Sequence, residues 1–127
     1  MVDVREEIDA FSKLEFEAQF QEISTGGCIS YIEIPHMGCN ITAVEQLINY
    51  MYHNIQYAEF NTKSDYCHRC GFDGEILLND SLMWTCPHCG NQNFDEMDVT
   101  RRVCGYLGCN DFNNGKKSEI KKRVLHL

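Results

Sequence analysis

Two short cysteine knuckles, Cys67-His68-Arg69-Cys70-Gly71 and Cys86-Pro87-His88-Cys89-Gly90, stand 15 residues apart and restrict this chain more than any other stretch. Each CxxC turn lets two sulfurs face one ion, and four soft thiolates suit the tetrahedral shell of zinc. The glycine after each second cysteine lets the backbone turn away with positive φ. Between the knuckles, residues 75–78 and 82–85 are predicted to pair as a hairpin across Asn79-Asp80-Ser81. Residues 63–98 thus read as a zinc ribbon with Cys67, Cys70, Cys86 and Cys89 as ligands. Four cysteines close the coordination shell and leave no position for a substrate or an activated water, so the ion is a scaffold. His68 and His88 read as exposed spacers, and Trp84 as a cover over one face of the ribbon.

Eight cysteines in 127 residues invite disulfides only in an oxidising compartment. The amino terminus, Met-Val-Asp-Val-Arg-Glu-Glu, has no apolar signal-peptide core, and no run of about 18 apolar residues follows. The expectation is a cytoplasmic chain with reduced thiols and no membrane contact. The 43% hydrophobic content is that of a globular protein, and the net charge of −8 disfavours nucleic acid as a partner. Charge is unevenly spread: residues 1–24 carry seven acids and two bases, residues 101–127 seven bases and two acids. The basic tail is predicted to be a solvated surface, with an acidic partner face as the weaker alternative.

Residues 3–22 read as a helix capped by Asp3 with Glu6 three positions on, burying Val4, Ile8, Phe11, Leu14 and Ala18. Residues 28–34 read as a buried strand. A second helix follows a Thr42/Glu45 capping box and carries Val44, Leu47, Ile48, Met51 and Ile55 on one face. Residues 58–62 suggest a short strand, residues 99–115 an ordered loop at best, and residues 118–127 a short basic helix. A lone strand between two helices has nothing to pair with, which points to a sheet continued elsewhere.

The stretch Arg102-Val103-Cys104-Gly105-Tyr106-Leu107-Gly108 reads on composition alone as a basic turn. Its order within the chain says more. Thr25-Gly26-Gly27 with Tyr31, the segment 57–61, both knuckles, Gly74-Glu75, Trp84, Gly90-Asn91, Gly115-Lys116, Glu119 and the closing Arg123-Val124-Leu125-His126-Leu127 accompany it. Together these resemble the carboxy-terminal region of the class III, oxygen-sensitive (anaerobic) ribonucleoside-triphosphate reductases.

The resemblance implies an α+β chain: residues 1–62 as the terminal helix-strand-helix piece of a ten-stranded α/β barrel, the zinc ribbon at 63–98, and an extended glycyl-radical loop with a basic tail at 99–127. It implies Gly105 as the radical residue, formed when a radical-SAM iron-sulfur activase removes a Cα hydrogen. The radical then passes to a barrel cysteine, and the resulting thiyl attacks the ribose of a ribonucleoside triphosphate. This chain is far shorter than such a reductase, and none of Cys28, Cys39, Cys104 or Cys109 matches the barrel cysteine. The implied partner is therefore a larger catalytic subunit that binds the nucleotides. A split-gene subunit, a spare glycyl-radical module and an excised fragment all fit, as does, from a different class, a zinc-ribbon binding module without catalysis.

Overall fold

The computed structural model describes residues 2–38, 40–103, 106–109 and 112–126. The expectations for Cys39, Cys104 and Gly105 fall outside the described residues. The chain forms two compact units, residues 1–61 with 124–127 and residues 62–123.

In the first unit, helix α1 (Ala10–Gln21) starts later than the sequence suggests. Its cap is Asp9, whose carboxylate accepts the Ser12 N–H at 3.0 Å. Asp3 instead clasps Arg5, accepting its backbone N–H and its guanidinium at 2.7–2.9 Å. The buried face also differs from the predicted apolar stripe. Phe11, Phe16 and Phe20 are more than 40% exposed, while Ala10, Lys13, Leu14, Glu17 and Gln21 point inward. These positions still follow the helical period; their polar members are tolerated where they find hydrogen-bond partners. Gln21 donates to Ser30 Oγ at 2.9 Å and to the Tyr57 carbonyl at 3.2 Å, and it accepts the N–H groups of Gln56 and Tyr57 at 2.8 and 3.1 Å.

Strand β1 (Ser30–Glu33), helix α2 (Ile41–Asn54) and strand β2 (Ala58–Asn61) form a βαβ unit, with β1 and β2 parallel from Ser30↔Ala58 to Glu33↔Asn61. The strand expected to stand alone thus finds its partner within the chain. Asn40 rather than Thr42 caps α2, accepting the Ala43 N–H at 3.2 Å. Leu47 is buried as predicted, but Ile48 stays exposed. The core joins Ala10 and Leu14 to Ile32, Ile34 and Leu47.

Five short strands open the second unit: β3 (Asp65–Cys67), β4 (Phe72–Gly74), β5 (Leu77–Leu78), β6 (Trp84–Thr85) and β7 (Met97–Asp98). β3 lies between β4 and β7, antiparallel to both, and β5 pairs with β6. That hairpin is shorter than predicted because the Ile76 N–H bonds the Asp65 carboxylate and Asn79 Oδ1 gathers the N–H groups of Ser81 and Met83.

Strands β8 (Thr100–Val103) and β9 (Tyr106–Cys109) form an antiparallel hairpin where the sequence suggested only a loop. Arg101 and Val103 are buried and Thr100 and Arg102 half-buried, a period of two hidden by the charge of Arg101. Helix α3 (Asn114–Lys121) is capped by Asn113, which accepts the Lys116 N–H at 2.9 Å, so it begins and ends earlier than predicted. The core combines Cys67, Ile76, Trp84, Cys86, Met97, Val99, Val103, Phe112 and Ile120. Among the described residues, no helix is long and apolar enough to cross a membrane.

Candidate functional site

The two knuckles have the same local geometry. The Gly71 N–H bonds the Cys67 carbonyl at 2.8 Å and the Gly90 N–H bonds the Cys86 carbonyl at 2.9 Å, each glycine at φ near 70°. An L side chain is strained at that φ, which is why glycine closes each turn.

These turns bring together the four cysteines that the sequence singles out. The sulfurs of Cys67, Cys70, Cys86 and Cys89 all lie within 4.8 Å of one another. The Cys67–Cys89 and Cys70–Cys86 pairs are 3.8 and 3.7 Å apart. A tetrahedron with metal–sulfur bonds of about 2.3 Å has edges of about 3.8 Å, so the donor set fits zinc in type, number and spacing.

Burial acts on the buried Cys67 and the half-buried Cys70 with different outcomes. It pushes the Cys67 thiol up, but the N–H groups of Cys70 and Arg69 and the Asn91 amide outweigh it and draw the thiol down to about 6. Cys70 is pushed up to about 12, first by burial and then by the neighbouring sulfurs. A dication among the sulfurs favours the thiolate form of all four. Asn91 orients this shell: its side-chain amide nitrogen points at Cys67 Sγ at 3.9 Å and donates to Glu96 at 3.0 Å, while its backbone carbonyl accepts the Cys86 N–H. Sequence spacing gives no hint of that role.

The two knuckle histidines are exposed. His68 contacts Asp98 at 2.8 Å and His88 stacks near Phe72. Trp84 is buried, edge-on to Phe112. The basic tail meets the expectation of a solvated face only in part: Lys121 and Lys122 are exposed, but Arg101 and the Arg123 side chain are not. Arg101 is buried against Asp65, Arg123 pairs with Glu119 and donates to the Arg102 carbonyl, and Lys121 pairs with Asp80. Local charge counting missed these pairs because the acids they meet lie elsewhere in the chain or a helical turn away. Cys109 is exposed on β9, its sulfur 3.7 Å from Thr100 Oγ1. Gly105, the expected radical residue, lies in the sequence between Val103 and Tyr106 and is not among the described residues.

The sequence matches the family described as anaerobic ribonucleoside-triphosphate reductase over residues 1–126. It is 43% identical to the Escherichia coli (strain K12) anaerobic ribonucleoside-triphosphate reductase over 99% of this chain, and 38% identical to that of Enterobacteria phage T4 over 98%. The chain spans 18% and 21% of those proteins, a carboxy-terminal part of each. A solved anaerobic ribonucleotide reductase superposes with a TM-score of 0.60 at 21% identity, over 98% of this chain and 19% of that one.

Proposed function

Because this chain belongs to the anaerobic ribonucleoside-triphosphate reductase family, we propose that it is the glycyl-radical-bearing part of such a reductase, with Gly105 as the radical residue. One observation carries the reading. The cysteine cluster and the strand that leads to residue 105 share a single hydrophobic core, in which Cys67 and Cys86 pack with Val103 and Phe112.

Cys67, Cys70, Cys86 and Cys89 would hold zinc, which would supply a rigid cross-link between the two knuckles. The chain's own residues do the rest of the local work. The knuckle turns aim the sulfurs, Asn91 fixes Cys67, and β8 and β9 flank Gly105. Glycine suits the radical because its Cα carries no side chain and adjoins an amide nitrogen and a carbonyl that share the unpaired electron. A radical-SAM activase takes the Cα hydrogen. The radical then passes to a thiol of a larger catalytic partner, where ribonucleoside triphosphates are reduced. The protein's task is to position and shield the radical.

Residues 1–62 fit the terminal α/β element of a reductase barrel. Among the described residues β2 pairs only with β1, which leaves its other edge for a further strand of a larger sheet. The remainder of the reductase supplies the nucleotide site.

The test is anaerobic. The chain is mixed with the larger part of a family reductase, its activase, S-adenosylmethionine and a reductant. A glycyl-radical doublet and restored ribonucleotide reduction are expected, with neither from the chain alone. Nucleotide reduction by the isolated chain would overturn the need for a partner, and a zinc-loaded chain that never gives a radical would overturn the assignment of Gly105.

A further inference from the structure

We propose that the buried Asp65–Arg101 pair is a positioning pair for the glycyl radical, fixing β8, the strand that precedes Gly105 in the sequence, against β3 and the β5–β6 hairpin; this rests on the reading of Gly105 above. Asp65 lies on β3, two residues before the ligand Cys67. Arg101 lies on β8, four residues before Gly105.

The side chains of both are almost wholly buried, 0% exposed for Asp65 and 4% for Arg101. Asp65 Oδ2 accepts Arg101 Nη2 at 2.7 Å and the Ile76 N–H at 2.8 Å. Its Oδ1 accepts Arg101 Nη1 and, at 3.3 Å, the Thr100 N–H. Arg101 donates in turn to the carbonyls of Ile76 at 3.1 Å and Thr100 at 2.8 Å, and its guanidinium lies 5.2 Å from the centroid of the Trp84 ring. One carboxylate therefore ties β3 to the entry of the β5–β6 hairpin and to the base of β8.

No ladder does this work. Among the described residues the β8–β9 hairpin is a two-stranded sheet of its own, sharing no strand ladder with β3 or β5. Isolated two-stranded hairpins are marginal in water, so side chains must fix its place. Phe112 and Val103 supply apolar burial, which is non-directional. The paired fork of guanidinium and carboxylate supplies direction, since two parallel hydrogen bonds in one plane set both distance and angle. Stability alone accounts poorly for the pair, because well-packed apolar residues stabilise a buried position as well as an ion pair does. Arg123 braces the same strand through the Arg102 carbonyl at 2.8 Å.

The test compares the wild-type chain with Arg101→Lys and with the double variant Asp65→Asn/Arg101→Gln, which removes both charges and keeps polar groups. Three quantities are read: zinc per chain, amide hydrogen exchange in residues 100–109 against 66–90, and glycyl-radical yield with the partner and activase. Arg101→Lys is expected to keep its zinc and leave 66–90 unchanged. Exchange in 100–109 should rise about tenfold. Radical yield should fall by about tenfold or more through slower activation, with the activase KM for the chain unchanged. Unchanged exchange in 100–109, or an unchanged radical yield, overturns the proposal. So does loss of zinc from both variants, which would make the pair a support of the ribbon alone. A wild-type chain that binds zinc but gives no doublet sinks the reading of Gly105 instead, and the exchange comparison still decides whether Arg101 anchors the hairpin.

Discussion

His126 holds Glu33 at two points: its ring Nδ1 accepts the Glu33 N–H at 2.9 Å, and its own backbone N–H donates to the Glu33 carbonyl at 2.9 Å. The last residues of the chain thereby seal the edge of β1 that faces away from β2. Nδ1 can accept only when it carries no proton, so the ring must be neutral with its proton on Nε2.

Acid should therefore loosen this seal. Burial, followed by the charge of Lys13, lowers the His126 pKa from 6.5 to about 4. The folded value lies below the unfolded one, so this contribution is intact above about pH 6.5 and is lost as pH falls towards 4. The full effect is on the order of 3 kcal/mol. Denaturant titrations across this range should show the decline in wild type and a flatter profile in His126→Asn. Equal slopes would assign the decline to other groups.

Gln21 should matter more to stability than the aromatic residue beside it. Gln21→Leu removes the hydrogen bonds to Ser30 Oγ and the Tyr57 carbonyl and those from the Gln56 and Tyr57 N–H groups, at about 1–3 kcal/mol in all. Phe20 is 44% exposed, and Phe20→Ala should cost less. Urea midpoints of the two variants decide the order; a larger loss for Phe20→Ala would contradict the buried face described for α1.

Zinc removal should unfold the second unit locally, because a site of this kind contributes folding free energy directly. Metal analysis of freshly purified protein should give about one zinc per chain. Cys86→Ser should lose both the metal and the near-ultraviolet signature of the buried Trp84. Folded protein free of zinc would refute the assignment.

Gly105→Ala should abolish the radical while leaving zinc content unchanged. The added methyl brings bulk to a position that must enter a narrow site, and it restricts the backbone. Oxygen admitted to the activated wild type should cleave the backbone at residue 105 and release a fragment of roughly residues 106–127, the size following from the position of the glycine. Paramagnetic resonance and mass spectrometry check both. A doublet persisting in the variant, or cleavage at Gly108 or Gly115, would identify a different radical residue.

The parts of this protein that were legible in advance are those whose chemistry is local. Two CxxC turns with a following glycine specify four converging sulfurs, because the turn geometry is set within five residues. The α2 helix and the β5–β6 hairpin were likewise readable from periodicity and turn residues, to within a few positions at their ends. The partner choices were not. Gln21 meets residues 56 and 57, Asp65 meets Arg101 across 36 positions, and His126 meets Glu33 across 93. Each is a polar residue that local pattern assigns to the surface, and each is buried only because a distant segment satisfies it. Short-range sterics dictate turns and helices wherever they occur in a chain. Which polar groups can be taken out of water depends on which donors and acceptors packing brings beside them, and no local window contains that information.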